Sequence, residues 1–205
     1  APREVTLQSA VICPDGRTLT LAETRLQTIQ AGQSLDFQEE TTIKNPQLWD
    51  LEHPNLYRLS ASLGAAGSTL DDDSVVFGLR DARFEAATGF WLNGKNLKLK
   101  GVCLHHTLVP AGAAVADSMW ERAIKELKAS GANSIRTSHN PYSPEFYDIC
   151  DQQGMLVMDE FTDKWSQPAS AGGVTYENWD ANWQNDLKLF VERDRNHPSV
   201  VMWSV

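Results

Sequence analysis

A chain of 205 residues suits one large domain or two of ordinary size, and 41% hydrophobic content with seven tryptophans excludes global disorder. The formal charge of -9 is shared evenly, -5 up to Arg83 and -4 beyond it, with no lysine or arginine run, which speaks against nucleic acid or an anionic membrane as partner. No apolar run approaches the ~18 residues of a membrane span. Cys13, Cys103 and Cys150 are widely spaced without a CxxC pair, which disfavours a zinc ribbon or a disulfide framework, and Cys103 and Cys150 read as small core residues. Ala1-Pro2-Arg3 shows neither an initiator methionine nor a signal peptide; the expectation is an excised piece or a mature product, of unknown localisation.

Residues 1–83 alternate apolar and polar positions in short runs: Val5, Leu7 and Ser9, then Leu19 and Leu21, then Leu35 and Phe37, then 56–63 and 75–80. Pro14-Asp15-Gly16, Ala31-Gly32-Gln33 and 64–67 separate them as turns. About seven short strands without a helical period predict an antiparallel β-sandwich of immunoglobulin type. Asp71-Asp72-Asp73 lacks the ligand spacing of a calcium loop and reads as a solvated acidic turn.

From Phe84 onward the period changes. Asn93-Gly94 between two apolar runs predicts a hairpin. Strands are predicted at 97–105, 133–138, 155–160 and 200–205, separated by three helices. The first helix has Asp117 as N-cap and Gly131 as its stop. The second opens on Ser143-Pro144 and stops at Gly154, and the third carries the stripe Trp179, Trp183, Leu187 and Phe190. Such alternation implies parallel crossovers, either half of an eight-stranded barrel or a short open sheet. The unbroken apolar runs at 155–158 and 200–203 suit strands covered on both faces.

In a parallel sheet all strand C-termini share one rim, which collects His105-His106, Ser138-His139-Asn140 and Asp159-Glu160. Three histidines with Asp159 or Glu160 suggest a metal site, but neighbours on an extended strand face opposite ways, so His105 and His106 do not share an ion readily. Arg136 needs a carboxylate, which Asp159 or Glu160 on the neighbouring strand supplies; it either props the rim as a buried ion pair or meets a ligand directly. Asp159 and Glu160 oppose each other in facing, a poor geometry for a catalytic pair, and read as structural. Asp163 is the better ligand contact, with Trp165 beside it as a stacking surface.

These segments resemble family 2 glycoside hydrolases. The matching runs are Phe77-Gly78-Leu79-Arg80, Leu92-Asn93-Gly94-Lys95, Lys100 to His106, Ile135-Arg136-Thr137-Ser138-His139-Asn140-Pro141, Cys150 to Glu160 and Asp194 to Ser204. Upstream, Pro46-Gln47-Leu48-Trp49 and Pro54-Asn55-Leu56-Tyr57 resemble the family's immunoglobulin-like domain. The resemblance covers nearly the whole chain. It implies a multi-domain protein, with an immunoglobulin-like antiparallel β-sandwich over 1–83 and the first half of a (β/α)8 TIM barrel over 84–205. It also implies a retaining enzyme acting on β-linked sugars, most similar to the β-galactosidase branch, with β-glucuronidase and β-mannosidase as alternatives. By position, His105 and His139 hold sugar hydroxyls near the reacting ring and Arg136 supports that site. Asn140, His106, Asp163, Trp165 and Trp203 complete the candidate substrate-binding set. Thr107 departs from the family, where Asp is frequent. No cofactor and no metal ligand is expected in this chain, and a divalent cation in a longer parent is left open.

In the family, the Trp203-Ser204 motif leads into Gly-Asn-Glu, whose Glu is the acid/base, and the nucleophilic Glu lies near the seventh strand. Neither is among these residues. The expectation is therefore a fragment without activity of its own, with self-association through an open half-barrel or partial disorder after Gly172. The rival readings are a non-catalytic carbohydrate-binding or structural module and a metal-dependent hydrolase built on the histidines.

Overall fold

The computed structural model describes residues 1–21, 26–163 and 179–205. They form two compact units: Ala1–Gln47 with Asn55–Leu79, and Leu48–Pro54 with Arg80–Val205. None of the described helices is long and apolar enough to cross a membrane.

The first unit is a five-stranded antiparallel sheet of β1 (Arg3–Ile12), β2 (Thr18–Thr20), β3 (Gln27–Ile29), β4 (Tyr57–Ala65) and β5 (Ser68–Phe77). The order is β2-β1-β4-β5, with β3 also pairing β1. Alternation along β1 buries Val5, Ser9 and Val11. Val11, Cys13 and Tyr57 form a small core with Leu19, Ile43, Leu59, Phe77 and Leu79 around it. Two expectations fail here. Leu35 and Phe37 lie in no strand, although their short alternation had looked like one. Asp71, Asp72 and Asp73 sit within β5, paired with Leu63, Ser62 and Ala61, because the turn falls earlier, at Ala66-Gly67. The described residues of this unit hold five strands rather than about seven.

The second unit opens with β6 (Ala82–Glu85), β7 (Gly89–Leu92) and β8 (Lys95–Asn96), an antiparallel sheet whose β7–β8 turn is the predicted Asn93-Gly94. Both turn residues have positive φ, as a two-residue hairpin demands. Four parallel strands follow: β9 (Gly101–His105), β10 (Ser134–Ser138), β11 (Leu156–Glu160) and β12 (Val200–Ser204), adjacent in chain order. Between them run α1 (Asp117–Ala129), α2 (Pro144–Gln153) and α3 (Trp179–Asp194). The expected disorder beyond Gly172 falls partly on 172–178, outside the described residues; from Trp179 the chain is helix and strand.

The first of these strands begins at Gly101 rather than at Leu97. Before it, the Asn133 side chain takes the backbone groups, accepting from Lys100 N and donating to Lys98 O. A Cβ on Gly101 would stand 2.9 Å from Ser134 Oγ, so a larger residue there would require the Ser134 hydroxyl to move. The N-cap of α1 is Ala116, which makes no side-chain cap bond, and Asp117 lies in the first turn, where its charge suits the helix dipole. Ser143 and Pro144 open α2 as predicted. Trp120 and Ile124 of α1, Phe146, Tyr147, Ile149 and Cys150 of α2, and Ile135, Val157 and Val200 of the strands form the main core.

Leu48–Pro54 belongs to this second unit although strands of the first flank it in sequence. Trp49 is fully buried and donates from Nε1 to Asp151 O at 2.8 Å, while Asn93 Nδ2 donates to Trp49 O at 2.9 Å. Lys128 Nζ donates to Leu51 O at 2.9 Å and also to Gln153 O. Gly154 closes α2 with a φ of +66°, and a Cβ there would lie 2.5 Å from Leu51 O. Arg80 reaches Pro198 O and Val200 O, and the Asp151 carboxylate accepts from Ser199 N at 2.9 Å and contacts His197 Nδ1 at 2.6 Å. The Asp151 bonds tie the start of β12 to the end of α2, and the Arg80 bonds tie it to the segment before β6. Trp49→Ala leaves a large cavity beneath α2, and the expected loss of about 3 to 5 kcal/mol is read from chemical denaturation.

Candidate active site

Side chains alternate along each strand, and the alternation sorts the rim residues onto two sides. On β9, Gly101, Cys103 and His105 are exposed while Val102 and Leu104 are partly covered. On β10, Ile135 and Thr137 are buried and Arg136 lies on the opposite side. On β11, Asp159 and Glu160 are both buried, but in different surroundings.

Glu160 sits under the rim with its side chain 2% exposed. Arg136 donates to it through Nε at 2.5 Å and Nη2 at 2.8 Å, a bidentate pair. The Cys103 sulfur, 3.6 Å from Nη1, and the Glu160 carboxylate together raise the guanidinium's already high pKa. His139 Nδ1 lies 3.3 Å from Glu160 Oε1 and 3.8 Å from Asp163 Oδ2. Register pairs Ser138 with His105, which brings the His105 and His139 rings to 5.3 Å, edge to face. The structure therefore gathers His105, Arg136, His139, Glu160 and Asp163. Glu160 supplies the carboxylate that Arg136 needs.

Asp159 faces the helices. Its Oδ1 accepts from Tyr147 Oη at 2.6 Å and from Thr137 Oγ1 at 3.2 Å, and Thr137 Oγ1 in turn accepts from Glu160 N at 2.9 Å. Burial pushes the Asp159 carboxyl up to about 7, reinforced by the nearby Asp194 carboxylate and opposed by the Tyr147 and Thr137 bonds. Burial and the same Asp159 charge push the Tyr147 hydroxyl well above its ordinary range.

The other candidates lie apart from this cluster. His106 turns the opposite way from His105, with its ring 4.8 Å from Tyr142 and 5.5 Å from Trp120, and burial lowers its pKa. Trp203 pairs in register with Asp159 and packs edge-on against Phe190 of α3 at 5.1 Å. Asn140 is exposed and donates to Pro141 O. Trp165 lies outside the described residues. Cys103 is exposed rather than a core residue, because it shares the strand face of His105. Among the described residues, the histidine and acid atoms gathered closely enough for an ion are those of Asp148, Asp151 and His197, at the start of β12, not those of the rim. There Asp151 already holds Ser199 N and the His197 ring. Sequence reasoning missed Tyr147 and Asp194, since nothing in a helix stripe marks a polar atom that reaches under a strand.

The family model for the TIM barrel domain of family 2 glycosyl hydrolases matches residues 86–205, and a second model of family 2 glycosyl hydrolases matches residues 1–80. This chain belongs to family 2 of the glycosyl hydrolases. It is 41% identical over 203 residues to the β-galactosidase BoGH2A of Bacteroides ovatus, covering 98% of this chain and 23% of that protein. A β-glycosidase from Bacteroides vulgatus superposes with a TM-score of 0.86 at 39% identity, covering 100% of this chain and 25% of its own. A β-glucuronidase from Bacteroides uniformis gives 0.86 at 32% identity, covering 98% and 24%. The chain thus spans about a quarter of the length of these relatives.

The buried Asp159 makes stability depend on pH. Its folded pKa lies above the ordinary 3.8, so folding binds a proton that the unfolded chain has released between about pH 4 and 7. The stability that this carboxyl contributes is expected to fall as pH rises through that window and then to level off. Urea midpoints at pH 4, 5, 6, 7 and 8 check this, and Asp159→Asn is expected to flatten the profile.

Proposed function

We propose that this chain carries the sugar-gripping rim of a retaining β-glycosidase, with a β-galactoside as substrate. One observation carries the reading: His105 and His139 lie edge to face at the strand ends, over an Arg136–Glu160 pair that holds the rim rigid. Imidazoles held this way can donate to or accept from sugar hydroxyls, and such bonds strengthen as an oxocarbenium-like transition state forms. Asp163 borders the same rim, and Asn140 stays in the candidate set as the neighbour of His139 in sequence. His106 and Trp203 support it from the helix side, and Trp165 stays in the candidate set on sequence grounds alone.

A neutral galactoside is favoured over a glucuronide because Arg136, the rim's cation among the described residues, is already neutralised by Glu160. A uronate carboxylate would look for an uncommitted cation. The immunoglobulin-like sandwich is proposed for 1–83 and the barrel for 84–205; the passage from one compact unit to the other between Leu79 and Arg80 supports a division near that point, with Leu48–Pro54 counted in the second unit.

Retaining hydrolysis needs two carboxylates ~5 Å apart facing the sugar. Glu160 is consumed by Arg136 and Asp159 faces the helices, so the described rim does not supply that pair. The 205-residue chain alone is expected to show no turnover of nitrophenyl β-galactoside. A longer protein carrying the complete barrel is expected to turn it over in preference to the glucuronide. In that protein His139→Ala is expected to lower kcat/KM by at least about 100-fold. Turnover by the short chain, or a glucuronide preference, would refute the respective part. Saturable heat on titrating the short chain with galactoside would instead support a binding module.

Among the described residues, strands β9 and β12 are the edges of the four-stranded sheet, and unpaired edges recruit further strands. Self-association of the 205-residue chain is the expected outcome, seen by light scattering as a mass that rises with concentration; a constant monomer mass would contradict it.

A further inference from the structure

The two ring nitrogens of His139 have different surroundings, and the difference determines what the ring can offer a ligand. Nδ1 lies 3.3 Å from Glu160 Oε1, 3.8 Å from Asp163 Oδ2 and 3.4 Å from Arg136 Nη2. A carboxylate accepts hydrogen bonds and never donates them, so both acidic contacts are attractive only when Nδ1 carries the hydrogen. The guanidinium contact alone would favour the opposite tautomer. Nη2 spends one of its two hydrogens on Glu160 Oε1 at 2.8 Å while Nε donates to Oε2 at 2.5 Å, which leaves its second hydrogen as the one competing donor toward Nδ1, at 3.4 Å. Around Nδ1 two negative groups thus face one positive group, and the local potential favours a hydrogen on that nitrogen.

We propose that Glu160 is a positioning residue that fixes His139 as the Nδ1–H tautomer, so that Nε2 presents a lone pair to a hydroxyl of the sugar. The proposal rests on the reading of His139 as a sugar contact and adds its direction: His139 accepts, and the hydroxyl it meets must donate. Glu160 cannot meet the sugar itself, since its side chain is 2% exposed, whereas that of His139 is 42% exposed. It acts through the ring it orients, as an outer carboxylate orients a metal-bound or catalytic histidine elsewhere.

The carboxylate also explains why an amide would not substitute for it. In Glu160→Gln one of the two oxygens becomes an NH2 group. The amide oxygen stays with Arg136, which offers only donors, and the NH2 group then points toward His139 Nδ1. A donor facing Nδ1 stabilises the bare nitrogen there and moves the ring hydrogen to Nε2. The substitution is nearly isosteric, so the change is chemical rather than steric.

The test is a long-range 1H–15N correlation spectrum of the 15N-labelled 205-residue chain, recorded at a pH above which the His139 shifts no longer change, with the His139 signals identified by their loss in His139→Gln. The expected result is a protonated-type shift on Nδ1 and a bare-type shift on Nε2, reversed in Glu160→Gln and unchanged in Asp163→Asn. A wild-type ring protonated on Nε2 overturns the proposal, as does a folded Glu160→Gln with the wild-type pattern, or a reversal in Asp163→Asn. Should Glu160→Gln not fold, the wild-type and Asp163→Asn spectra decide. The tautomer is read without sugar, so a failed titration with methyl β-galactoside counts against the sugar reading alone.

Discussion

Two adjacent acids on one strand, Asp159 and Glu160, face opposite sides of the parallel sheet, and the arrangement of the rim follows from that. The pleat allows neither to swing to the other's side without shifting the register of β11. Glu160 therefore lies with Arg136 and His139, where the guanidinium charge offsets its own burial. Asp159 lies with Tyr147, Thr137 and Asp194, where no cation among the described residues bonds it and its carboxyl is driven toward the protonated form. Thr137 connects the two sides, because its hydroxyl donates to Asp159 and accepts from the backbone N–H of Glu160. The site and the packing behind it share one hydrogen-bonded chain.

The opposite ends of the strands are held by different chemistry. There, backbone carbonyls are capped by long cationic side chains: Arg80 on Pro198 and Val200, Lys128 on Leu51 and Gln153. Trp49 fills the space beneath α2 and Asp151 ties His197 and Ser199 to that helix. None of these groups reaches the rim. In barrel-type sheets stability concentrates at the strand starts and chemistry at the strand ends, and this half-sheet divides its polar residues in that way. The three-residue cluster of Asp148, Asp151 and His197 belongs to the anchoring end, where Asp151 and His197 are already engaged in fixing the chain.

Burial of the anchor and openness of the rim are complementary. Trp49, Trp120 and Phe146 are fully covered, so the strand starts and helix layer have little freedom to relax. The rim side chains are partly exposed, yet their orientation is set by bidentate and edge-to-face contacts rather than by packing. A ligand thus meets groups already aimed, and ordering them on binding costs little.

Much of this was readable from residue order alone. Asn93-Gly94, Ser143-Pro144 and Gly154 mark chain reversals and helix ends because their backbone preferences are local, and the structure uses each as expected. The opposite facing of His105 and His106 likewise follows from strand geometry. Residue order also established the succession of strands and helices in the second half and the company of His105, Arg136 and His139 at one rim. Only the folded chain decided that Leu48–Pro54 joins the second unit, that Cys103 is open while Cys150 is covered, that Trp203 packs on α3, and that Arg136 chooses Glu160 over Asp159. These are choices between partners distant in sequence. Alternation and turn propensity act over two to four residues, whereas burial and ion pairing depend on which surfaces meet once the sheet has closed its register.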